Sequence, residues 1–177
     1  MRNVAAEALG VSGYTVPVAA KEDMLRRVAA CLGLAVVAAA LGYSQAKDAF
    51  VGSWAMDPDK STFTPGPVPM ERYMTFEMSD KGMTHLTKTP SLFGGSSNIT
   101  YTAKFDGKDY EILGTGLDTV SLKRVDANTI ERTGKESGKV SETAVMKISA
   151  DGKTLTVTTK GNFRGTEYSS VQIFVRQ

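Results

Sequence analysis

Hydrophobic and polar residues alternate along much of the second half of the chain, a pattern typical of β-strands. In the clearest case, Leu155 and Val157 alternate with threonines at 154, 156 and 158. A period of two with one apolar face predicts a sheet that packs one side on a core. We therefore expect these residues to face inward, together with the apolar positions of the last alternating segment: Val171, Ile173 and Val175.

Turn signals divide the chain into short segments. The Asp-Gly pairs at 106–107 and 151–152 are the strongest hairpin signals. No sustained helical period occurs after Lys47, so the pattern predicts an all-β fold of about ten strands. A ten-stranded open sheet would expose two edges, and we expect closure into an antiparallel up-and-down β-barrel. The predicted strands are 50–56, 70–79, 83–89, 97–105, 108–113, 118–124, 129–134, 139–149, 154–160 and 168–176.

The segment 57–69 departs from this alternation. It contains Pro58, Pro65, Pro67 and Pro69, and proline lacks the N–H that a regular strand or helix needs. We expect this segment to be a loop that crosses one end of the barrel.

The N-terminal region predicts export. Two arginines follow Met24, an uncharged run covers 28–41, and a small-x-small exit ends at Ala46, which together are typical of a secretory signal peptide. The run is shorter than the roughly 20 residues of a membrane span. An uncleaved anchor and lipidation at Cys31 are the alternatives. We predict cleavage after Ala46 and a periplasmic or secreted protein.

Three regions follow from this pattern. Residues 24–46 are the predicted signal peptide, and residues 47–177 are the predicted β-barrel. Residues 1–23 carry charges and no periodic pattern, so we interpret them as a mis-assigned or unstructured extension, with Met24 as the true start. A long, unusual basic region of the signal is the alternative.

Charge and cysteine content narrow the class of protein to which the chain can belong. Four of the 21 basic and three of the 19 acidic residues precede Lys47, which leaves 17 and 16 and no basic stripe for nucleic acid. The single cysteine, Cys31, lies in the predicted signal, so the mature domain must be stable without disulfides. We expect a monomer with no membrane span in its mature form.

Arg132 and Glu142 are the main candidates for ligand contact. They lie on adjacent predicted strands, and alternation places Glu142 on the face of Val140, Ala144 and Met146, which we take as inward. An inward carboxylate needs a partner, and the pair would anchor a ligand head group. A register error that leaves both in solvent is the alternative. The predicted ligand-binding set is Arg132, Glu142, Met146, Phe76 and Tyr101.

Other residue types add little chemistry. The methionines and phenylalanines of the barrel are interpreted first as core and second as adaptable ligand-binding surface: Met70, Met74, Met78, Met83, Met146, Phe76 and Phe93. His85 is the only histidine, and we expect it at the surface or on a pocket rim. We predict no metal site, no cofactor and no enzyme, since no catalytic triad or phosphate loop is recognisable.

Gly52-Ser-Trp54 and Arg176 resemble the signature of the calycin group, which includes lipocalins and fatty-acid-binding proteins. In that group a Gly-x-Trp opens the barrel and a basic residue of the last strand packs across the Trp. The resemblance implies that Gly52, Trp54 and Arg176 close the barrel. The chain resembles bacterial exported lipocalin-like proteins in further segments: Lys60-Ser-Thr-Phe63, 101–108, 119–124 and 151–161.

The resemblance implies fold more strongly than ligand. Ten strands are nearer the fatty-acid-binding type, but a Pro-rich loop replaces its helical lid and its Arg-x-Tyr is absent from the last strand. The leading hypothesis is a barrel that binds a small hydrophobic or amphipathic molecule. The alternative is a filled barrel that acts as a protein-interaction or inhibitor module through its Pro-rich loop.

Overall fold

The computed structural model describes residues 47–177, and the predictions on residues 1–46 lie outside the described residues. The described part forms ten strands. They are β1 (Gly52–Thr64), β2 (Tyr73–Ser79), β3 (Gly82–Pro90), β4 (Ser96–Ala103), β5 (Tyr110–Leu113), β6 (Thr119–Asp126), β7 (Thr129–Glu136), β8 (Lys139–Ile148), β9 (Thr154–Phe163) and β10 (Thr166–Arg176).

The strands form a closed antiparallel barrel. Each strand pairs with its neighbours in sequence, and β1 pairs with both β2 and β10, so the sheet has no free edge over the paired positions. The predicted all-β up-and-down barrel of ten strands is confirmed. Within residues 47–177, no helix is long and apolar enough to cross a membrane.

The first strand is longer than the sequence pattern predicts. β1 continues through Pro58 to Thr64, so the prediction of a loop over all of 57–69 is wrong for its first half. The pairing of β1 with β10 shifts register between Asp57 and Thr62, and this irregularity contains the proline that cannot donate to the ladder. Ser61 bridges the irregularity, because its hydroxyl donates to the Asp57 carbonyl and accepts the Ile173 N–H.

The base of the barrel is the end where β1 begins and β10 ends. Trp54 is fully buried there, and the Arg176 guanidinium lies 4.1 Å from the centroid of its ring. Arg176 also donates to the carbonyls of Gly152, Val51 and Ala49 at 2.5–2.9 Å. The cation is thus both stacked on the indole and hydrogen-bonded through all three of its nitrogens, as expected of a closing contact.

Gly52 makes this contact possible. Its φ is +134°, a backbone conformation that side chains rarely adopt, and a Cβ there would lie 3.0 Å from a guanidinium nitrogen of Arg176. The Trp54 indole N–H donates to the Phe50 carbonyl at 3.0 Å. The three residues named by the calycin resemblance therefore lie together at the base.

The inward face of β10 is the opposite of the one predicted. Val171 and Val175 are 38% and 42% exposed, whereas the side chains of Ser170, Gln172 and Phe174 are buried. Trp54 is opposite Arg176 across the β1–β10 pair, and this contact sets the register. A one-residue slip exchanges the two faces of a strand, so the contact at the base overrides the valine pattern.

Two further inward assignments are wrong. Val140 is 60% exposed, because a register shift after Gly134 turns the start of β8 outward, while Ala144 and Met146 remain buried. Three of the methionines and phenylalanines that were predicted to lie in the core are exposed instead: Met70, Met78 and Phe93.

Candidate functional site

The half of the barrel away from the base contains a cavity of about 210 Å³. It lies towards the β1–β2 loop, residues 65–72, and the β5–β6 loop, residues 114–118. Apolar side chains form much of its wall: Met74, Ile99, Ile112, Met146 and Val157. Polar and charged side chains from β3, β4, β7, β8, β9 and β10 form the rest, together with Arg72 and Thr115 of the two loops, so the site has an amphipathic lining.

Arg132 and Glu142 form an ion pair on this wall. Their side chains are 14% and 13% exposed, so the prediction that Glu142 faces inward beside Arg132 agrees with the structure, and the alternative of two solvated side chains does not. The Tyr168 hydroxyl donates to the second carboxylate oxygen of Glu142 at 2.6 Å. Burial, and then this hydrogen bond, raise the pKa of Tyr168, so it remains a neutral donor.

A glycine provides the space for Tyr168. Gly161 is opposite Tyr168 on β9, and a Cβ at Gly161 would lie 2.6 Å from the tyrosine ring. Glu142 is also paired with Gly161, on the other side of β9. The missing side chain lets Tyr168 reach across β9 to the carboxylate.

Arg72 carries the second guanidinium of the site, at the end of the loop that precedes β2. It donates through Nη1 to the Gln172 side-chain oxygen at 2.7 Å and through Nε to the Thr89 hydroxyl at 3.1 Å. Its guanidinium carbon lies 5.4 Å from the centroid of the Phe63 ring. Burial lowers the pKa of Arg72, although an arginine still remains charged at neutral pH.

Within the described barrel, Arg72 differs from Arg132 in having no counter-ion. Among residues 47–177, no carboxylate lies within salt-bridge distance of Arg72, whereas Glu142 neutralises Arg132. Two of its five N–H groups are used within the protein, which leaves three for another acceptor. The cavity wall therefore carries one net positive charge.

His85 on β3 and Tyr101 on β4 form a stacked pair in the cavity wall. Their ring centroids are 4.8 Å apart with an interplanar angle of 14°, and the two residues are only 4% and 3% exposed. His85 Nε2 bonds the Thr87 hydroxyl at 2.7 Å. His85 Nδ1 and the Tyr101 hydroxyl have no hydrogen-bond partner among the described residues, at a cost of about 1–3 kcal/mol for each group.

The burial of His85 corrects the prediction of a surface or rim position. It shares the inward face of β3 with Met83 and Thr87, so alternation from Met83 would have placed it inside. Desolvation, and then the positive charge of Arg132, lower the pKa of His85 to about 3. Desolvation raises the pKa of Tyr101 to about 12, so both groups are neutral near pH 7.

Four members of the predicted ligand-binding set line the cavity: Arg132, Glu142, Met146 and Tyr101. Phe76 does not line it. Phe76 lies one layer nearer the base, where its ring packs edge-on against Phe50 at 5.9 Å and tilted against His85 at 4.8 Å. Four further cavity residues were not predicted as such from the sequence: Arg72, His85, Tyr168 and Gln172.

The chemistry of the cavity suits binding. His85 bonds a threonine hydroxyl, and no carboxylate orients its ring among the hydrogen bonds of residues 47–177. The same residues include no cluster of three or more His, Cys, Asp or Glu side chains placed to hold a metal ion. The site offers the Arg72 guanidinium, an apolar wall and two neutral polar atoms.

The chain has likenesses among solved structures. No family model matches the chain, and no curated protein matches it. A solved structure, zebrafish ileal bile acid-binding protein complexed with cholic acid, is similar, with a TM-score of 0.47 and 11% sequence identity. The likeness covers 73% of this chain and 99% of that one. The ten-stranded barrel is established by its own strand pairing, independently of this likeness.

Proposed function

We propose that the mature domain is a binding protein for a small amphipathic anion held inside the barrel. The observation that carries this proposal is Arg72, a half-buried cation on the cavity wall for which residues 47–177 provide no carboxylate partner. A desolvated charge is stabilised by an opposite charge, so the guest that suits the site has an anionic head group. Its apolar body would lie against Met74, Met146 and Val157.

Cavity size limits the guest. Pockets for drug-sized ligands enclose about 300–1,000 Å³, and this cavity encloses about 210 Å³. The leading hypothesis of a small hydrophobic or amphipathic guest is therefore narrowed to a short or medium-chain acid, or to a longer one whose tail remains outside.

The test is binding of octanoate, measured by calorimetry and by displacement of an apolar fluorescent dye. Arg72→Met keeps the apolar stem of the side chain and removes the charge. We expect it to weaken octanoate binding about tenfold or more, since a hydrogen bond to a charged group contributes about 1.5–3 kcal/mol.

Arg164→Met is the matched control. Arg164 is an exposed arginine of the β9–β10 turn and does not line the cavity. The proposal fails if octanoate does not bind to the wild-type protein, or if both variants bind it as well as the wild type does. Native mass spectrometry of protein from its own host would identify the guest.

We also propose that the protein is exported, on the pattern of residues 24–46 alone. The test is N-terminal sequencing of protein expressed in its own host, combined with fractionation. A mature chain that begins at Lys47, outside the cytoplasm, is the expected result. Full-length protein confined to the cytoplasm would contradict it.

A second candidate function is a protein-interaction module. Met70, Leu92 and Phe93 are 70%, 81% and 99% exposed, and the first two line a surface groove of about 440 Å³ between the β1–β2 and β3–β4 loops. Exposed apolar surface of this kind is typical of contact sites. This candidate gains weight if Leu92→Ser with Phe93→Ser abolishes capture of a partner while octanoate binding is unchanged.

A further inference from the structure

His85 Nδ1 and the Tyr101 hydroxyl are the two buried side-chain polar atoms that find no partner within residues 47–177. Both residues line the cavity, and both are more than nine-tenths buried. Buried polar groups in folded proteins are nearly always hydrogen-bonded, so two such atoms on adjacent stacked rings point to a ligand group. We propose that they form a second recognition point of the cavity, which binds a hydroxyl group on the guest.

The chemistry of the pair selects a hydroxyl. A phenol both donates and accepts, and a neutral imidazole nitrogen does one or the other, according to its tautomer. A guest hydroxyl also does both, so it satisfies the two atoms together. Neither group carries charge near neutral pH, so neither competes with Arg72 for the anionic head. The pair is therefore specific for a neutral polar group.

The position of the pair separates it from the anion site. Arg72 precedes Phe76 by four residues, and Phe76 pairs with His85, which pairs with Tyr101. Four residues of an extended chain span about 13 Å. Apolar side chains, including Met74 and Ile112, line the wall as well. This inference rests on the proposed function and refines it: the guest is a small hydroxy acid, with its carboxylate and its hydroxyl at different points of the cavity.

The experiment compares octanoate with ω-hydroxyoctanoate, whose flexible chain adapts to the separation of the two points. We expect the wild-type protein to bind the hydroxy acid about tenfold more tightly than octanoate, which corresponds to about 1.4 kcal/mol of binding free energy. Tyr101→Phe keeps the ring and removes the hydroxyl. We expect it to bring the ratio of the two dissociation constants close to one.

Two further variants make the comparison specific. Tyr110→Phe is the matched control, because the Tyr110 hydroxyl bonds Asp106 at the exposed β4–β5 turn, away from the cavity. It should leave the tenfold ratio intact. His85→Gln retains a polar group near the Nε2 position and lacks Nδ1, and it should also reduce the ratio. In the wild-type protein, the ¹⁵N chemical shift of His85 Nδ1 should change with the hydroxy acid and not with octanoate.

Each outcome separates the two proposals. If both acids bind with equal affinity and Tyr101→Phe changes nothing, the hydroxyl site is wrong and the anion site stands. If neither acid binds, the proposed function fails, and this inference fails with it. A preference that survives in Tyr101→Phe and in His85→Gln would also overturn the assignment, since the hydroxyl would then be recognised elsewhere.

Discussion

The two halves of the barrel are built from the same strands and differ in the side chains that face inward. At the base, the inward residues are large and apolar, and both cations have partners. Arg176 caps Trp54 and donates to three carbonyls, and Arg124 pairs with Asp48 at 2.6 Å. In the other half, the inward residues are mixed, and Arg72 and the stacked His85–Tyr101 pair have unused hydrogen-bonding capacity.

The change occurs within single strands. On β10 the inward residue is Phe174 near the base, and towards the other end it becomes Gln172, Ser170 and then Tyr168. On β3 it changes from Met83 to His85. In a core that served stability alone, the inward residues would be apolar along the whole strand, because each unpaired buried polar group lowers the free energy of unfolding. This contrast supports the proposal that the cavity half binds a guest while the base stabilises the barrel.

The largest expected effect is at the base. Trp54→Ala should lower the free energy of unfolding by about 3–5 kcal/mol, because it removes a fully buried large aromatic side chain and the surface on which Arg176 stacks. Chemical denaturation followed by circular dichroism measures this. In the wild-type protein, Trp54 should fluoresce as a buried indole. A water-like emission maximum would contradict the closing role of this residue.

The next effect is in the cavity half. Arg132→Ala should cost about 3 kcal/mol of stability, because it leaves the Glu142 carboxylate mostly buried without its cation. This variant therefore tests folding more than binding. The double variant Arg132→Met with Glu142→Gln removes both charges and keeps an acceptor for Tyr168, so it should recover most of the loss. Equal destabilisation in the single and double variants would show that the pair is not coupled.

The burial of His85 should make the protein less stable by about 2 kcal/mol at pH 5 than at pH 7. Its pKa is about 3 in the folded protein and about 6.5 in the unfolded chain, so between these values the unfolded state binds one more proton. Stability is therefore full above pH 6.5 and falls by up to about 1.4 kcal/mol per pH unit as the pH is lowered towards 3. Denaturation at pH 7 and pH 5 measures it, and His85→Gln should flatten the difference. If both proteins lose the same stability between pH 7 and pH 5, a group other than His85 is responsible for the pH dependence.

The smallest effect tests the face of β10. Val175→Thr should change stability by less than about 0.5 kcal/mol, because Val175 faces outward and is 42% exposed. Its neighbour Phe174 is fully buried, and Phe174→Ala should cost about 3–5 kcal/mol. Thermal or denaturant unfolding distinguishes them. A large loss at Val175 and a small one at Phe174 would restore the face that the valine pattern predicts.

The amino-acid sequence by itself determined the class of fold. Alternation with Asp-Gly turns at short intervals specifies antiparallel strands, because both are local properties of the backbone. The ten strands, the closed barrel and the inward face of β9 at Leu155 and Val157 all follow from such patterns. The Trp54–Arg176 contact was predicted from a resemblance, and the pairing of Arg132 with Glu142 from strand adjacency.

Only the tertiary structure decided which face of β10 is inward and what the cavity contains. The register of a strand depends on its partners, so the contact of Arg176 with Trp54 and the irregularity beside Pro58 overrule a local valine pattern. Arg72 and Tyr101 are 29 residues apart in the sequence and reach one cavity through barrel closure. Whether a polar side chain has a partner depends on such distant neighbours, and for this reason Arg72 and His85 became visible as site residues only in the folded barrel.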